Sequence, residues 1–267
     1  MSQNSLIITL GKILINRYGY NKHQIVQTKN FLIAEGEIPV ALVAHLDTVF
    51  PHPPEEIYYD NKAKVMWSPQ GLGADDRAGV YSIIEILELG YRPHIIFTTE
   101  EEQGCLGTQI MLSKIPDPPF ELKYIIQLDR QGENDSVFYD CNNPEFEQYI
   151  NSFGFKTARG SFSDISFIAP QWGVAAVNLS IGYEDEHFEI ERLFISTMQK
   201  TILKVCKMFD DVDNAYSFAY IPKKREYLQS FQKEVCDWCG EPIVGIKNSV
   251  HLCKNCYDAF QNYVGWR

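Results

Sequence analysis

Apolar and polar positions follow two rhythms along the first 212 residues of the chain. Short apolar runs end abruptly in polar residues: VALVAHLDTV (40–49), HIIFTTEEE (94–102), KYIIQLDRQG (123–132) and VAAVNLSIGY (174–183). Such runs are strands buried on both faces. Between them lie stretches with apolar residues three and four apart. These are RAGVYSIIEILELG (77–90), which stops at a glycine, and ERLFISTMQKTILKVCKMF (191–209). Both predict amphipathic helices, as does MSQNSLIITLGKILINRYGY at the start. EEIYYDNKAKVMWS (55–68) reads as a hairpin turning at Asp60-Asn61. Strands alternating with helices predict an α/β domain, with a mostly parallel or mixed central sheet and helices on both faces. Sites in such sheets form beyond the carboxyl ends of the strands.

The rhythm stops in DDVDNAYSFAYIPKKREYLQ (210–229). The expected organisation is a main α/β domain at 1–212, a linker at 213–229 and a small C-terminal module at 230–267. A module that short needs a staple. It has one in CDWCG and CKNC, two C-x-x-C pairs with thirteen residues between them. Cys236, Cys239, Cys253 and Cys256 predict a zinc ribbon of four thiolates, whose structural zinc supplies folding free energy. Cys105, Cys141 and Cys206 stand alone. Cys105 is expected to be a core residue.

Net charge is −11, which argues against a broad nucleic-acid surface. From residue 221 onward, however, seven Lys and Arg face five Asp and Glu, so the ribbon could contact a protein or nucleic acid. Its aromatic residues more simply pack the ribbon or dock it. No apolar run approaches a membrane span, and the N-terminus lacks the pattern of a signal peptide. The expected setting is cytoplasmic, without a membrane partner.

Several predicted strand ends carry metal-ligand chemistry: His45 with Asp47, Glu100 to Glu102, and Asp129. Asp75 and Asp76 lie side by side between glycines, and His187 sits in GYEDEHFEIE. Singly, each has an ordinary explanation as a turn former, a cap or a solvated charge. His23, His52 and His94 are read as surface or loop residues. Together, two His and several carboxylates at one sheet edge suit a pair of zinc ions, or cobalt or manganese in the same cage.

The ordered set H-x-D-T-V (His45, Asp47), G-A-D-D-R-A-G (Gly73 to Gly79), E-E-x-G (Glu101 to Gly104), strand-end Asp129 and G-Y-x-x-x-H (Gly182 to His187) closely resembles the co-catalytic di-zinc exopeptidase superfamily. That superfamily includes leucyl aminopeptidase, peptidase T and the acetylornithine deacetylases. The resemblance implies two metals bridged by Asp75, one also held by His45 and Asp129, the other by Glu102 and His187. It implies a cis peptide bond after Asp75, Glu101 as general base, and Asp47 orienting His45. Asp76 would cap the following helix. Asp164, in SFSDISF, either orients a site residue or caps a helix.

Layout narrows the comparison. Fifty-seven residues separate Asp129 from His187, and twenty-nine separate His45 from Asp75. Neither gap holds the extra lid or dimerisation domain found in parts of the superfamily. The resemblance therefore implies a minimal domain, nearest in layout to the leucyl-aminopeptidase branch, acting on a peptide or amino-acid amide. An N-acyl amino acid amidohydrolase is the alternative enzyme. An inactive peptidase-like adaptor carrying a zinc ribbon is the alternative outside catalysis.

Overall fold

The computed structural model describes residues 2–223. The zinc ribbon expected at Cys236, Cys239, Cys253 and Cys256 lies outside the described residues. In chain order, helix α1 (Gln3–Asn16) leads to strands β1 (Ile25–Gln27), β2 (Phe31–Ala34) and β3 (Ile38–His45). A hairpin of β4 (Tyr58–Asp60) and β5 (Val65–Trp67) precedes α2 (Ala74–Glu88) and β6 (Pro93–Thr98). Next come α3 (Leu106–Lys114), β7 (Tyr124–Arg130), β8 (Asp135–Val137), α4 (Pro144–Ser152) and β9 (Lys156–Thr157). The last elements are α5 (Ile165–Trp172), β10 (Ala176–Ser180), β11 (Tyr183–Glu184), β12 (Arg192–Phe194) and α6 (Ile195–Asp210).

Eight strands form one mixed sheet in the order β1-β2-β6-β3-β7-β10-β8-β9. Its centre is parallel: β3 pairs in parallel with β6 and with β7, and β7 with β10. β2 and β8 join antiparallel at the flanks. The period of two along β3 sorts its side chains. Leu42 and Ala44 face the core under α1, α2, α4 and α6, while Ala41 and Val43 face the core under α3 and α5. Ile83 and Ile86 of α2 are fully buried, each such burial stabilising by about 1.5–3 kcal/mol. A second, antiparallel sheet runs β11-β12-β5-β4.

Three expectations change. Residues 192–194, read as helix, are strand β12, because Leu193 pairs with Met66 in the small sheet. Residues 215–223, read as linker, run back along the domain. Ala219 bridges Val174, Pro222 bridges Cys141, and Phe218 packs on Tyr124, Phe146 and Tyr149. These anchors are aromatic and aperiodic, so a periodicity reading passes over them. His94, expected at the surface, is buried and stacked on Phe120 with ring centroids 3.8 Å apart. Its Nδ1 accepts the Gly36 amide at 3.0 Å, and burial lowers its pKa to about 4. His23 and His52 are exposed. Among the described residues no helix is long and apolar enough to cross a membrane.

Candidate metal centre

Parallel pairing of β6, β3 and β7 places their carboxyl ends along one edge. There β3 ends in His45, β7 carries Asp129, and β6 runs into the loop bearing Glu101 and Glu102. Asp75 enters from the start of α2, where Asp75 and Asp76 have non-helical dihedrals and are joined by a cis peptide bond. The regular helix begins at Arg77. Gly79 is required here, since a Cβ would collide with the Leu128 carbonyl oxygen and the Asp76 carboxylate.

Asp75 divides its oxygens between two groups. Oδ1 lies 2.9 Å from His45 Nε2, which is itself 3.5 Å from Asp129 Oδ1. Oδ2 lies 3.2 Å from His187 Nε2, which is 3.1 Å from Glu102 Oε2. The structure thus gathers all five side chains that the resemblance names as ligands. Asp76 also lies close to His45 and Asp129. Its oxygens, however, are occupied by backbone: one accepts the Gly79 amide at 2.9 Å and the other the His45 amide at 3.2 Å. Asp76 therefore caps α2, as expected, and also ties the end of β3 to it.

The donor set fits divalent cations. Two imidazoles and three carboxylates converge, and the buried Glu102 Oε1 has no hydrogen-bond partner among the described residues. Burial pushes Glu101 up to about 8, with the charges of Asp129, Asp164 and Asp75 acting in the same direction. Burial and Asp75 raise Glu102 to about 7 and Asp129 to about 6. The hydrogen bond to Asp75 raises His187 to about 9. Burial alone would lower the pKa of His45, but Asp129, Asp47 and Asp75 outweigh it and raise the pKa well above the ordinary range. So many buried like charges hold protons unless cations replace them.

Supporting residues fix this set. Asp47 faces His45 Nδ1 at 3.4 Å and accepts the amides of Glu101 and Glu102, both at 3.1 Å. One carboxylate thereby orients a candidate ligand and the loop carrying the candidate base. Burial opposes its ionisation, yet His45 and these amides hold its pKa below the usual range. Asp164 is fully buried and makes no capping bond; it accepts Thr98 Oγ1 at 2.6 Å and Thr108 Oγ1 at 2.5 Å. It clamps both ends of the Glu101–Glu102 loop. Glu100 and Cys105 in that loop have positive φ, as do Asp185 and His187. Non-glycine residues hold that conformation where surroundings over-determine it. Cys105 is buried, and burial raises its pKa, consistent with a core thiol.

Sequence reasoning passed over several supports. Ser163 donates to Asp129 Oδ2 and Tyr183 to Asp129 Oδ1, both at 3.1 Å. Asn178 accepts the Asp129 amide at 2.9 Å. Glu191 is fully buried and accepts the amides of Gly73, Ala74 and Asp75 at 2.5, 3.0 and 3.1 Å. Its only signal was its place in the acidic stretch around His187, where Glu184, Glu186 and Glu189 looked equivalent.

Comparison with known proteins bears on the fold. Neither a protein-family model nor a curated protein matches the sequence. Among solved structures, the chain is similar to aminopeptidase PepT from Bacillus cereus, with a TM-score of 0.64 and 15% identity over 79% of this chain and 94% of that one. It is similar to a tripeptidase from Staphylococcus aureus, with a TM-score of 0.64 and 15% identity over 80% of this chain and 94% of that one. It is also similar to a Zn-dependent exopeptidase from Parabacteroides distasonis, with a TM-score of 0.52 and 17% identity over 77% and 89%. At these identities the likeness concerns the fold. The described domain shares the fold of these peptidases, and function must be argued from its own residues.

Proposed function

We propose that the chain is a metal-dependent exopeptidase, specifically an aminopeptidase. The observation that carries this reading is the division of Asp75 between two His–carboxylate pairs, with Glu101 beside them and not consumed by either. His45, Asp129 and Asp75 would hold one divalent cation, and Glu102, His187 and Asp75 a second, with zinc best suited to the mixed imidazole and carboxylate donors. Bound cations at such a centre lower the pKa of water and polarise the scissile carbonyl.

Glu101 is placed for the proton work. It lines the same opening of about 270 Å³ as Asp75, Glu102 and His187. Its only side-chain hydrogen bond among the described residues is accepted from Cys105 Sγ at 3.6 Å. It can therefore take a proton from water and return it to the leaving amine. Asp47 fixes the backbone at Glu101, so the carboxylate is positioned before substrate arrives. Glu186 also lines the opening and is half-buried. A carboxylate there suits the free ammonium of a substrate, which favours an aminopeptidase over an amidohydrolase acting on blocked amines.

Zinc-reconstituted protein assayed on aminoacyl amides, short peptides and their N-acetylated forms tests the proposal. Free amines should be cleaved and acetylated forms should resist. Turnover confined to the acetylated forms would move the assignment to an N-acyl amidohydrolase.

A further inference from the structure

The small sheet β11-β12-β5-β4 ends in a strand with no neighbour on its outer side among the described residues. Tyr58, Tyr59 and Asp60 of that strand are all exposed. Along its outer side β4 therefore offers free backbone donors and acceptors, a template for another strand. Natural edges are ordinarily guarded by charge, proline or a bulge. The one charge on β4 is turned back into its own hairpin: Asp60 Oδ1 accepts the amides of Lys62 and Ala63 at 2.7 and 3.0 Å. The rest of the strand is aromatic, and Ile57, just before it, is 56% exposed.

Both faces of this hairpin are apolar. On one, Tyr58 stacks on Trp67 with ring centroids 5.8 Å apart, and both rings are exposed. On the other, Tyr59 pairs with Met66 and borders a groove of about 500 Å³ that reaches α2 and α6. Ile57, Tyr81 and Ile202 line the same groove, and Ile57 and Tyr81 are exposed. Contiguous exposed apolar surface of this kind marks a place of association. The charges around the strand say what fits. Glu56 stands three residues before Tyr59 and Lys62 three residues after it. A two-fold axis through Tyr59 would lay two β4 strands antiparallel, Tyr59 against Tyr59 and Tyr58 against Asp60 of the second copy. Glu56 of each copy then comes beside Lys62 of the other, so opposite charges meet twice. Parallel pairing in register would instead set Glu56 against Glu56 and Lys62 against Lys62. The edge is thus complementary to itself in the antiparallel sense alone.

We propose that two copies of this chain associate through β4, joining their small sheets across a two-fold axis at Tyr59. Such an isologous contact uses one patch on both copies and closes at the dimer. Three residues of strand pairing make a small contact, whereas a specific interface buries about 800 Å² per partner. Ile57, Tyr59 and the groove wall at Tyr81 therefore belong to the interface together with the strand edge. The interface is independent of the reaction proposed above and stands or falls separately from it.

Sedimentation equilibrium of the full-length chain over a range of concentrations tests it. The parent should form a dimer. Tyr59→Asp sets two carboxylates face to face on the axis and should leave monomer throughout. Glu56→Lys and Lys62→Glu each replace both opposite-charge pairs by like-charge pairs, and each alone should weaken the dimer about tenfold or more in Kd. Mixed in equal amounts, one of them fluorescently labelled, these two variants should recover parent-like affinity as a heterodimer. Each Lys then faces a Glu at both ends of the paired strands. That recovery separates charges meeting across the interface from damage within one copy. A parent that stays monomeric, a dimer indifferent to these variants, or a mixture as weak as its components overturns the proposal.

Discussion

Glu191 and Asp75 lie in segments 116 residues apart, yet Glu191 Oε1 accepts the Asp75 backbone amide at 3.1 Å. The same carboxylate holds Gly73 and Ala74, and it stands four residues after His187. One buried side chain therefore locks the loop of the candidate bridging ligand to the loop of another ligand. Glu191→Ala would leave three buried amides unpaired. Each such group costs about 1–3 kcal/mol, so a marked loss of stability is expected. Partners that orient metal ligands are typically worth about 10–100-fold in metal affinity. Denaturant unfolding and zinc competition on the variant check both effects. Parent-like zinc affinity would show that Glu191 does not position the centre.

The proposed function gives Asp75 and Glu101 different tasks, holding metal and moving protons. Asp75→Ala removes the only side chain among the described residues that faces both His45 and His187. It should lose metal from the pair. Glu101→Gln keeps size but cannot accept a proton. It should retain metal and fold, and lose at least the roughly 10²–10⁴-fold typical of general acid–base catalysis. Metal analysis and turnover on both variants test the assignment. A Glu101→Gln protein with near-parent activity would remove Glu101 from the mechanism.

The parts of the centre legible in sequence were those announced by local pattern. His45, Glu102 and Asp129 follow apolar strands, and Asp75 sits between glycines. The supports were not legible, because which side chain reaches a ligand depends on which elements meet. Ser163 and Tyr183 reach Asp129 from α5's N-terminal side and from β11. Short elements were equally opaque. β8, β9, β11 and β12 span two or three residues each, too few to show a period. Leu193 and Phe194 fit a helical stripe until strand pairing with β5 decides otherwise.

Asp76 should matter more to stability than a cap alone. Losing a capping side chain typically costs about 1 kcal/mol. Asp76 also accepts the His45 amide from a fully buried position. Asp76→Asn turns an NH₂ towards one of two backbone donors and leaves that donor unpaired, adding about 1–3 kcal/mol. Gly79→Ala, with its Cβ against Leu128 and Asp76, should cost about 1–3 kcal/mol as an overpacked site. Equilibrium unfolding of both variants provides the check. A loss under about 1 kcal/mol for Asp76→Asn would reduce its role to capping.

The protonation of the centre sets opposite pH trends for the metal-free and metal-loaded protein. Without metal, the folded chain raises Glu101 to about 8, Glu102 to about 7, Asp129 to about 6 and His187 to about 9. Each group then binds more protons folded than unfolded across the interval between its ordinary and its raised pKa. The linkage relation makes stability fall as pH rises wherever the folded state holds the extra protons. For these groups that window opens near the usual carboxylate values and closes near 9. Asp47 and Asp75 are shifted the other way, and their contribution is lost only as pH falls below the ordinary Asp value of 3.8. Metal-free protein should therefore lose stability from about pH 5 to pH 9. Metal binding requires deprotonated ligands and releases these protons, so the stabilisation by zinc should grow over the same range. Thermal unfolding of chelated and zinc-loaded protein at about pH 5.5, 7 and 8.5 measures both trends. A zinc-induced rise in Tm that stays constant with pH would mean that zinc does not displace protons from this centre.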